Sequence, residues 1–391
     1  MSSLPPQRIL VIFGTRPEVI KLAPVIRELR CRPTRFDCRV VSTGQHREMV
    51  DQALAAFKLR VDIQLDAMSS AQSLGRLTAR LFLDLDQIFE AEKPDWVIVQ
   101  GDTTSAMVGA MCAFYRRIKI GHVEAGLRTY NRSSPFPEEI NRTFIGHVTD
   151  LHFAPTPRSA DNLLKAGAPT ETVHVTGNTV VDALLWVTGD MLGQVPEGIN
   201  PALVASLAGK RLVLVTSHRR ESFGDGLASI CRALLATVRR HPDVVIVYPV
   251  HLNPNVREPV YRLLGVEPRI KLLEPLGYLP LVYLMQRSHC IFTDSGGIQE
   301  EAPSLGKPVL ILRDTTERPE VIEAGCARLV GTSEETIFSA AEELLGNEAV
   351  YRAMTSVKNP FGDGNAAKRI VDILSASWTQ RPPPGPPHRS R

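Results

Sequence analysis

Five short aliphatic runs in the first half of the chain, RILVIF (8–13), CRVVST (38–43), DWVIVQ (95–100), IKIGHV (118–123) and VHVTG (173–177), alternate with amphipathic stretches of helix length. A strand that is apolar on both faces has to be covered by helices above and below, so this rhythm predicts a parallel sheet wrapped on both sides. The rhythm breaks after residue 178, where a helix-like stretch runs into the linker QVPEGINP. It then restarts with RLVLVTS (211–217), VVIVYPV (244–250), RIKLL (269–273), CIFTDS (290–295) and KPVLIL (307–312). The chain therefore reads as two doubly wound α/β domains in tandem, with two sets of strand C-termini around one cleft. A length of 391 residues suits two cores better than one.

Composition narrows the partners. A net charge of +3 without a basic block argues against nucleic acid. No apolar run approaches the roughly 20 residues that span a bilayer, and the start MSSLPPQ lacks a leader's apolar core, so a cytoplasmic protein with no membrane partner is expected. Six scattered cysteines without C-x-x-C pairs read as thiols in a reducing compartment. The ending RPPPGPPHRSR, within 381–391, reads as a disordered tail, and residues 1–7 as a flexible N-terminus.

Polar clusters sit where the strands end. After the first strand, FGTRPEVIKLAP has Gly14 for a tight turn, Thr15 as a cap and Pro17 in the first helical turn, with Arg16 and Lys21 as cations. This reads as an anion site, and it is neither a dinucleotide fingerprint nor a P-loop. In the second half, Ser295-Gly296-Gly297 opens a helix whose backbone N–H groups can approach a diphosphate, with Glu301 placed for ribose hydroxyls. Asp102 follows DWVIVQG, His218 and Arg219 follow RLVLVTS, His251 follows VVIVYPV, and Arg318 lies in RDTTERPE. The segment GHVEAGLRTYNRSSPFPEEINR gathers Glu124, Glu138 and Glu139 beside Arg128, Arg132 and Arg142. Its acids read equally as a salt-bridged connection or as a site. Asp102, Glu124, Glu138 and His218 show no metal-ligand spacing, so neither a metal nor a cofactor is expected.

FGTRPEVIKLAP, TGQHREM, GDTTSAMVGA, GHVEAGLRT, PFPEEINR, TGNTVVDAL, SHRRESFG, YPVHLNPNVREPV, TDSGGIQEEAPSLGKPVLILRDTTERPE and NPFGDGNAAKRI, in order from about 8 to about 375, together resemble the non-hydrolysing UDP-N-acetylglucosamine 2-epimerases of bacteria. The resemblance implies the glycosyltransferase-B architecture, with two Rossmann-like domains facing a cleft. It places 8–177 plus 365–380 in the N-terminal domain and 178–364 in the nucleotide-binding C-terminal domain. It implies interconversion of UDP-GlcNAc and UDP-ManNAc, supplying ManNAc for surface polysaccharide, in a homodimer. Arg16, Lys21, Asp102, Glu124, His218, Ser295, Gly296, Gly297, Glu301 and Arg318 would line the nucleotide-sugar site, with Glu138 a further cleft carboxylate. Gln45, Arg219 and His251 match positions of a second, allosteric UDP-GlcNAc site. Leu276 and Leu281 stand where some members have Gln and Phe beside the base.

The implied route eliminates UDP to give 2-acetamidoglucal and adds it back with protonation from the opposite face, which calls for more than one acid/base group. Asp102 and Glu138 are expected to serve the two faces, with Glu124 positioning the sugar or sharing the proton transfer and His218 stabilising the leaving group. Three alternatives stay open: a hydrolysing epimerase, a glycosyltransferase of the same fold, and a non-catalytic nucleotide-sugar sensor.

Overall fold

The computed structural model describes residues 5–44, 47–67, 72–191, 193–219 and 222–379. Gln45, residues 1–4 and the Pro-rich 381–391 lie outside these. The first sheet contains β1 (Gln7–Phe13), β2 (Phe36–Ser42), β3 (Ile63–Gln64), β4 (Trp96–Gln100), β5 (Lys119–Val123), β6 (Leu151–Ala154) and β7 (Val173–Val175), in the order β3-β2-β1-β4-β5-β6-β7. The second contains β8 (Arg211–Thr216), β9 (Val244–Pro249), β10 (Ile270–Leu273), β11 (Cys290–Thr293), β12 (Val309–Ile311) and β13 (Ala327–Leu329), in the order β10-β9-β8-β11-β12-β13. Every pairing is parallel.

The alternating runs thus become two doubly wound sheets. Three strands escaped the pattern, β3, β6 and β13, because segments of two to four residues are too short to show a period. β1 begins on Gln7, whose side chain is buried, one residue before the run RILVIF.

In each sheet the strand order reverses once, between β1 and β4 and between β8 and β11. Ligands of open α/β sheets bind outside the strand C-termini at such switch points. Gly14 and Asp102 follow the first pair, and Ser217, His218 and Ser295 follow the second.

Two crossovers join the halves. The first, at Gly177-Asn178, leads into the helix Thr179–Asp190, and the second, at 359–362, returns the chain to the last helix, Ala366–Thr379. That helix packs on Arg16–Arg30 of the first half, and the Asp182 carboxylate caps it by accepting the Ala366 and Ala367 N–H groups at 3.2 and 2.8 Å. At the crossing point Gly177 has φ +90°, and a Cβ there would lie 3.3 Å from the Phe361 carbonyl oxygen, so glycine suits both the left-handed backbone and the close approach of the two segments. All six cysteines are free. No helix among the described residues is long and apolar enough to cross a membrane.

Candidate active site between the two sheets

The loop after β1 is built around Glu18. Its Oε2 accepts the Gly14 and Thr15 N–H groups at 3.0 and 2.8 Å and the Thr15 hydroxyl at 2.8 Å, while Oε1 accepts the Thr103 hydroxyl at 2.7 Å. Glu18 closes a capping box on the helix Arg16–Arg30 and ties the β1 loop to the loop that carries Asp102. This revises the anion-site reading. Two N–H groups that would face an anion already serve an internal carboxylate, which leaves side chains as the positive groups here.

Burial pushes Glu18 up to about 7 despite its four donors. A carboxyl whose pKa rises on folding stabilises the fold below its unfolded value near 4.5, and that contribution disappears as pH rises through 7. Melting temperature should therefore fall less between pH 5.5 and 8 in Glu18→Gln than in the parent. Parallel profiles would contradict this.

Lys21 is the next departure. Its Nζ is bonded to Glu124 Oε1 and lies 3.2 Å from Glu300 Oε2, both on nearly inaccessible side chains. Burial alone would lower the Lys21 pKa, but Glu124 and Glu300 outweigh it, so the ammonium is firmly charged. Its charge is thereby matched within the protein rather than offered whole to a diphosphate. Glu124 is held on the other side too: Gln100 Nε2 donates to its Oε2, and Asn178 Nδ2 to its Oε1 at 3.0 Å. Its backbone is left-handed, with φ 62°, a strained conformation for a residue with a side chain and one that clusters at functional sites.

Arg318 faces the same centre from the second half. Its Nε donates to Glu300 Oε1 at 2.8 Å, and Nη1 to Glu317 at 2.7 Å. The guanidinium lies flat against the start of the helix Gly296–Glu301, and a Cβ on Gly296 would meet its Cζ at 3.0 Å. Burial penalises the charge on Glu300, but Lys21 and Arg318 more than offset this and hold its pKa low.

Asp102 is bonded to Arg142, whose other nitrogen lies 3.4 Å from Glu139, and Asn141 Nδ2 donates to the Asp102 main-chain oxygen at 2.9 Å. Burial raises the Asp102 pKa, Arg142 opposes the rise, and the nearby Glu138 charge adds to it. Glu138 opens the helix Glu138–Val148 and is half-buried. Glu139 is structural: it accepts the Thr129 and Tyr130 N–H groups at 3.0 and 2.9 Å and so pins the loop after β5.

At the second switch point the buried Asp294 organises the β8 end. Its Oδ2 accepts the His218 and Arg219 N–H groups at 2.6 and 2.8 Å and the Ser217 hydroxyl at 3.1 Å, and His218 Nδ1 lies 3.2 Å from Oδ1. The His218 ring is parallel to His251 at 5.8 Å. Ser295 stands at the N-cap of its helix without a side-chain capping bond, and its N–H donates to Thr293 Oγ1 at 2.9 Å. Glu301 accepts the Tyr278 hydroxyl at 2.8 Å and is pushed up to about 7, chiefly by burial, with Arg16 among the charges that oppose the rise. Leu276 and Leu281 pack, half-buried, against the main core.

The structure thus draws together strand-end residues from both halves. Four further members escaped the sequence reading, Glu18, Asn178, Asp294 and Glu300, while Arg142, noted there as a nearby cation, proves to be the partner of Asp102. All of them lay inside the quoted motifs (FGTRPEVIKLAP, PFPEEINR, TGNTVVDAL, TDSGG and QEEAP), but nothing in the local pattern separates Glu300 from Glu301. No group of three or more potential metal ligands occurs among the described residues.

Two Rossmann-like sheets with facing switch points, a glycine-opened helix on one side and clustered carboxylates on the other define a nucleotide-sugar enzyme of glycosyltransferase-B architecture. The chain belongs to the UDP-N-acetylglucosamine 2-epimerase family, whose profile matches residues 27–375. It is 51% identical over 372 residues to a probable UDP-N-acetylglucosamine 2-epimerase of Ralstonia solanacearum, covering 95% of this chain and 99% of that one. It is 49% identical to the UDP-N-acetylglucosamine 2-epimerase of Escherichia coli strain K12, covering 94% and 98%. The crystal structure of the Neisseria meningitidis UDP-GlcNAc 2-epimerase bound to UDP-GlcNAc superposes with a TM-score of 0.86 at 44% identity, covering 94% and 99%.

Proposed function

We propose that this enzyme interconverts UDP-GlcNAc and UDP-ManNAc without hydrolysis. A base removes the C2 proton as the C1–O bond to UDP breaks, the C–H electrons become the C1=C2 bond of 2-acetamidoglucal, and UDP re-adds with a proton delivered to the other face. The observation that carries this reading is the set of three cleft carboxylates, Asp102, Glu124 and Glu138, in two different settings. Glu124 is immobilised by Lys21, Gln100 and Asn178, which suits a sugar-positioning role. Asp102 and Glu138 interact electrostatically and suit proton transfer on the two faces. A glycosyltransferase needs at most one base for its acceptor. Arg16, His218, Arg318 and the Ser295–Gly297 helix start would stabilise the departing diphosphate, Glu301 would take the ribose, and domain closure would retain the glucal. A cytoplasmic location and supply of ManNAc for surface polysaccharide fit this activity.

Incubation with UDP-GlcNAc in D₂O, followed by NMR, tests the reading. Deuterium at C2 of both UDP-sugars is expected, whereas free ManNAc without UDP-ManNAc would mark a hydrolase. We also infer a second UDP-GlcNAc site at Gln45, Arg219 and His251, supported by the parallel His218 and His251 rings. Pure UDP-ManNAc should then react slowly until UDP-GlcNAc is added, and a full initial rate would exclude such activation.

The chain is inferred to be a homodimer. Leu83, Phe114, Tyr115 and Phe144, each more than half exposed, lie on three adjoining helices, Leu74–Glu92, Thr104–Tyr115 and Glu138–Val148. Such an exposed apolar face suits a second copy of the chain. Light scattering should give twice the chain mass, and Tyr115→Arg should give a monomer; a monomeric parent would refute this.

A further inference from the structure

Both crossovers between the domains are tied to one buried residue, Glu300, the first through its carboxylate and the second through its main chain. At the first, the Asn178 amide donates to Glu300 Oε2 at 3.2 Å as well as to Glu124. At the second, Asn359 Nδ2 donates to the Glu300 main-chain oxygen at 2.8 Å, and its Oδ1 accepts the Phe361 N–H at 2.9 Å. The crossovers are bonded to each other through the Asn178 N–H and the Phe361 oxygen, 2.7 Å apart. Glu300, 0% exposed, also meets Lys21 at 3.2 Å from the first domain and Arg318 at 2.8 Å from its own.

We propose that Glu300 is a positioning residue at the pivot between the domains, fixing Lys21 and Asn178, and through them Glu124, in the geometry that the C2 chemistry uses. This rests on the epimerase reading above. When two bodies rotate against each other, contacts far from the axis break and those on it persist. Glu300 sits where the crossovers meet, so its bonds to both domains can survive opening and closing. Its charge is also what divides Lys21 between two acceptors. Without it, the ammonium has Glu124 as its one close anionic partner, and the Asn178 bridge loses one end. The Gln isostere keeps an acceptor for Arg318, so the disturbance should concentrate on Glu124 rather than on nucleotide binding.

The test compares the full-length parent with Glu300→Gln, Glu300→Asp and Asn178→Ala, measuring kcat, KM for UDP-GlcNAc, C2 deuterium incorporation and melting temperature. Misplacement of a catalytic centre by a fraction of an ångström to an ångström costs on the order of 100-fold, so Glu300→Gln should lose about 100-fold in kcat. Its KM should stay within about threefold, which separates lost positioning from lost binding. Glu300→Asp, which restores the charge, should recover about tenfold of the loss, and Asn178→Ala, which keeps every charge, should lose about tenfold. A Glu300→Gln enzyme with kcat within about threefold of the parent would overturn the pivot. So would Glu300→Asp and Glu300→Gln losing activity equally and in step with melting temperature, which marks a packing role. An inactive parent overturns the epimerase reading instead, and the deuterium measurement on the parent keeps the two failures apart.

Discussion

Asp102→Asn is expected to lower kcat about 10³-fold, within the range by which a positioned proton-transfer group accelerates a reaction. Asparagine keeps the size of the side chain and an oxygen for Arg142, so the Arg142 contact and the Asn141 bond to the Asp102 main chain should persist. What disappears is the group that exchanges a proton. C2 deuterium incorporation should fall in parallel with epimerisation, because both need the C–H bond to break. A companion change reads the same residue through pH. Arg142 opposes the rise that burial imposes on Asp102, so Arg142→Met should move the acidic limb of the kcat/KM profile to higher pH. Asp102→Asn turning over within about threefold of the parent would remove Asp102 from the proton-transfer pair and leave Glu138 as the remaining candidate.

Lys21→Met should produce the largest loss of stability of any single change at the site, roughly 3–5 kcal/mol, the usual result of removing one partner from a buried ion pair. Methionine fills most of the volume but leaves Glu124 and Glu300 near each other with Arg318 as the remaining cation at the cluster. The carboxylates can then relieve their repulsion by taking up a proton, so their folded-state pKa values rise. The sign follows: stability should recover as pH falls below those raised values and be lost as pH rises through them. Chemical denaturation at pH 5.5 and pH 8 measures both features, with the larger deficit expected at pH 8. A deficit under about 1 kcal/mol at pH 8, the range of an exposed pair, would mean that the cluster is solvated rather than closed.

The fold was largely readable from the chain alone. RILVIF, DWVIVQ, RLVLVTS and CIFTDS are buried on both faces, and no arrangement other than a helix-covered parallel sheet satisfies them. The site was readable only in part. Asp102, Glu124, His218 and Ser295 announce themselves because each lies within two residues of a strand's end, and strand ends of such sheets face ligands. Glu18 read as an ordinary helix residue and Lys21 as a cation for the substrate, and neither reading gave their actual partners, Thr103, Glu124 and Glu300. Glu139 and Glu138 are neighbours in a single acidic pair, yet one holds a loop through two backbone N–H groups while the other approaches Asp102.

The segment GHVEAGLRTYNRSSPFPEEINR illustrates the division. Its acids, its arginines and its place after a strand follow from residue order, since hydrophobic periodicity is a local property that each element carries along the chain. Which acid is free and which is bound does not. Glu124 is fixed by Lys21 and Asn178, 103 and 54 residues away, and Lys21 is shared with Glu300 across the domain boundary. The charge state of a buried group depends on the sum of its desolvation and its neighbours' fields, and those neighbours meet only when the two sheets face each other. The chain's own pattern determined two sheets with reactive strand ends; the packing of one against the other decided that Glu124 is held, that Asp102 and Glu138 face each other's charge, and that Glu300 lies at the crossing point of the two halves.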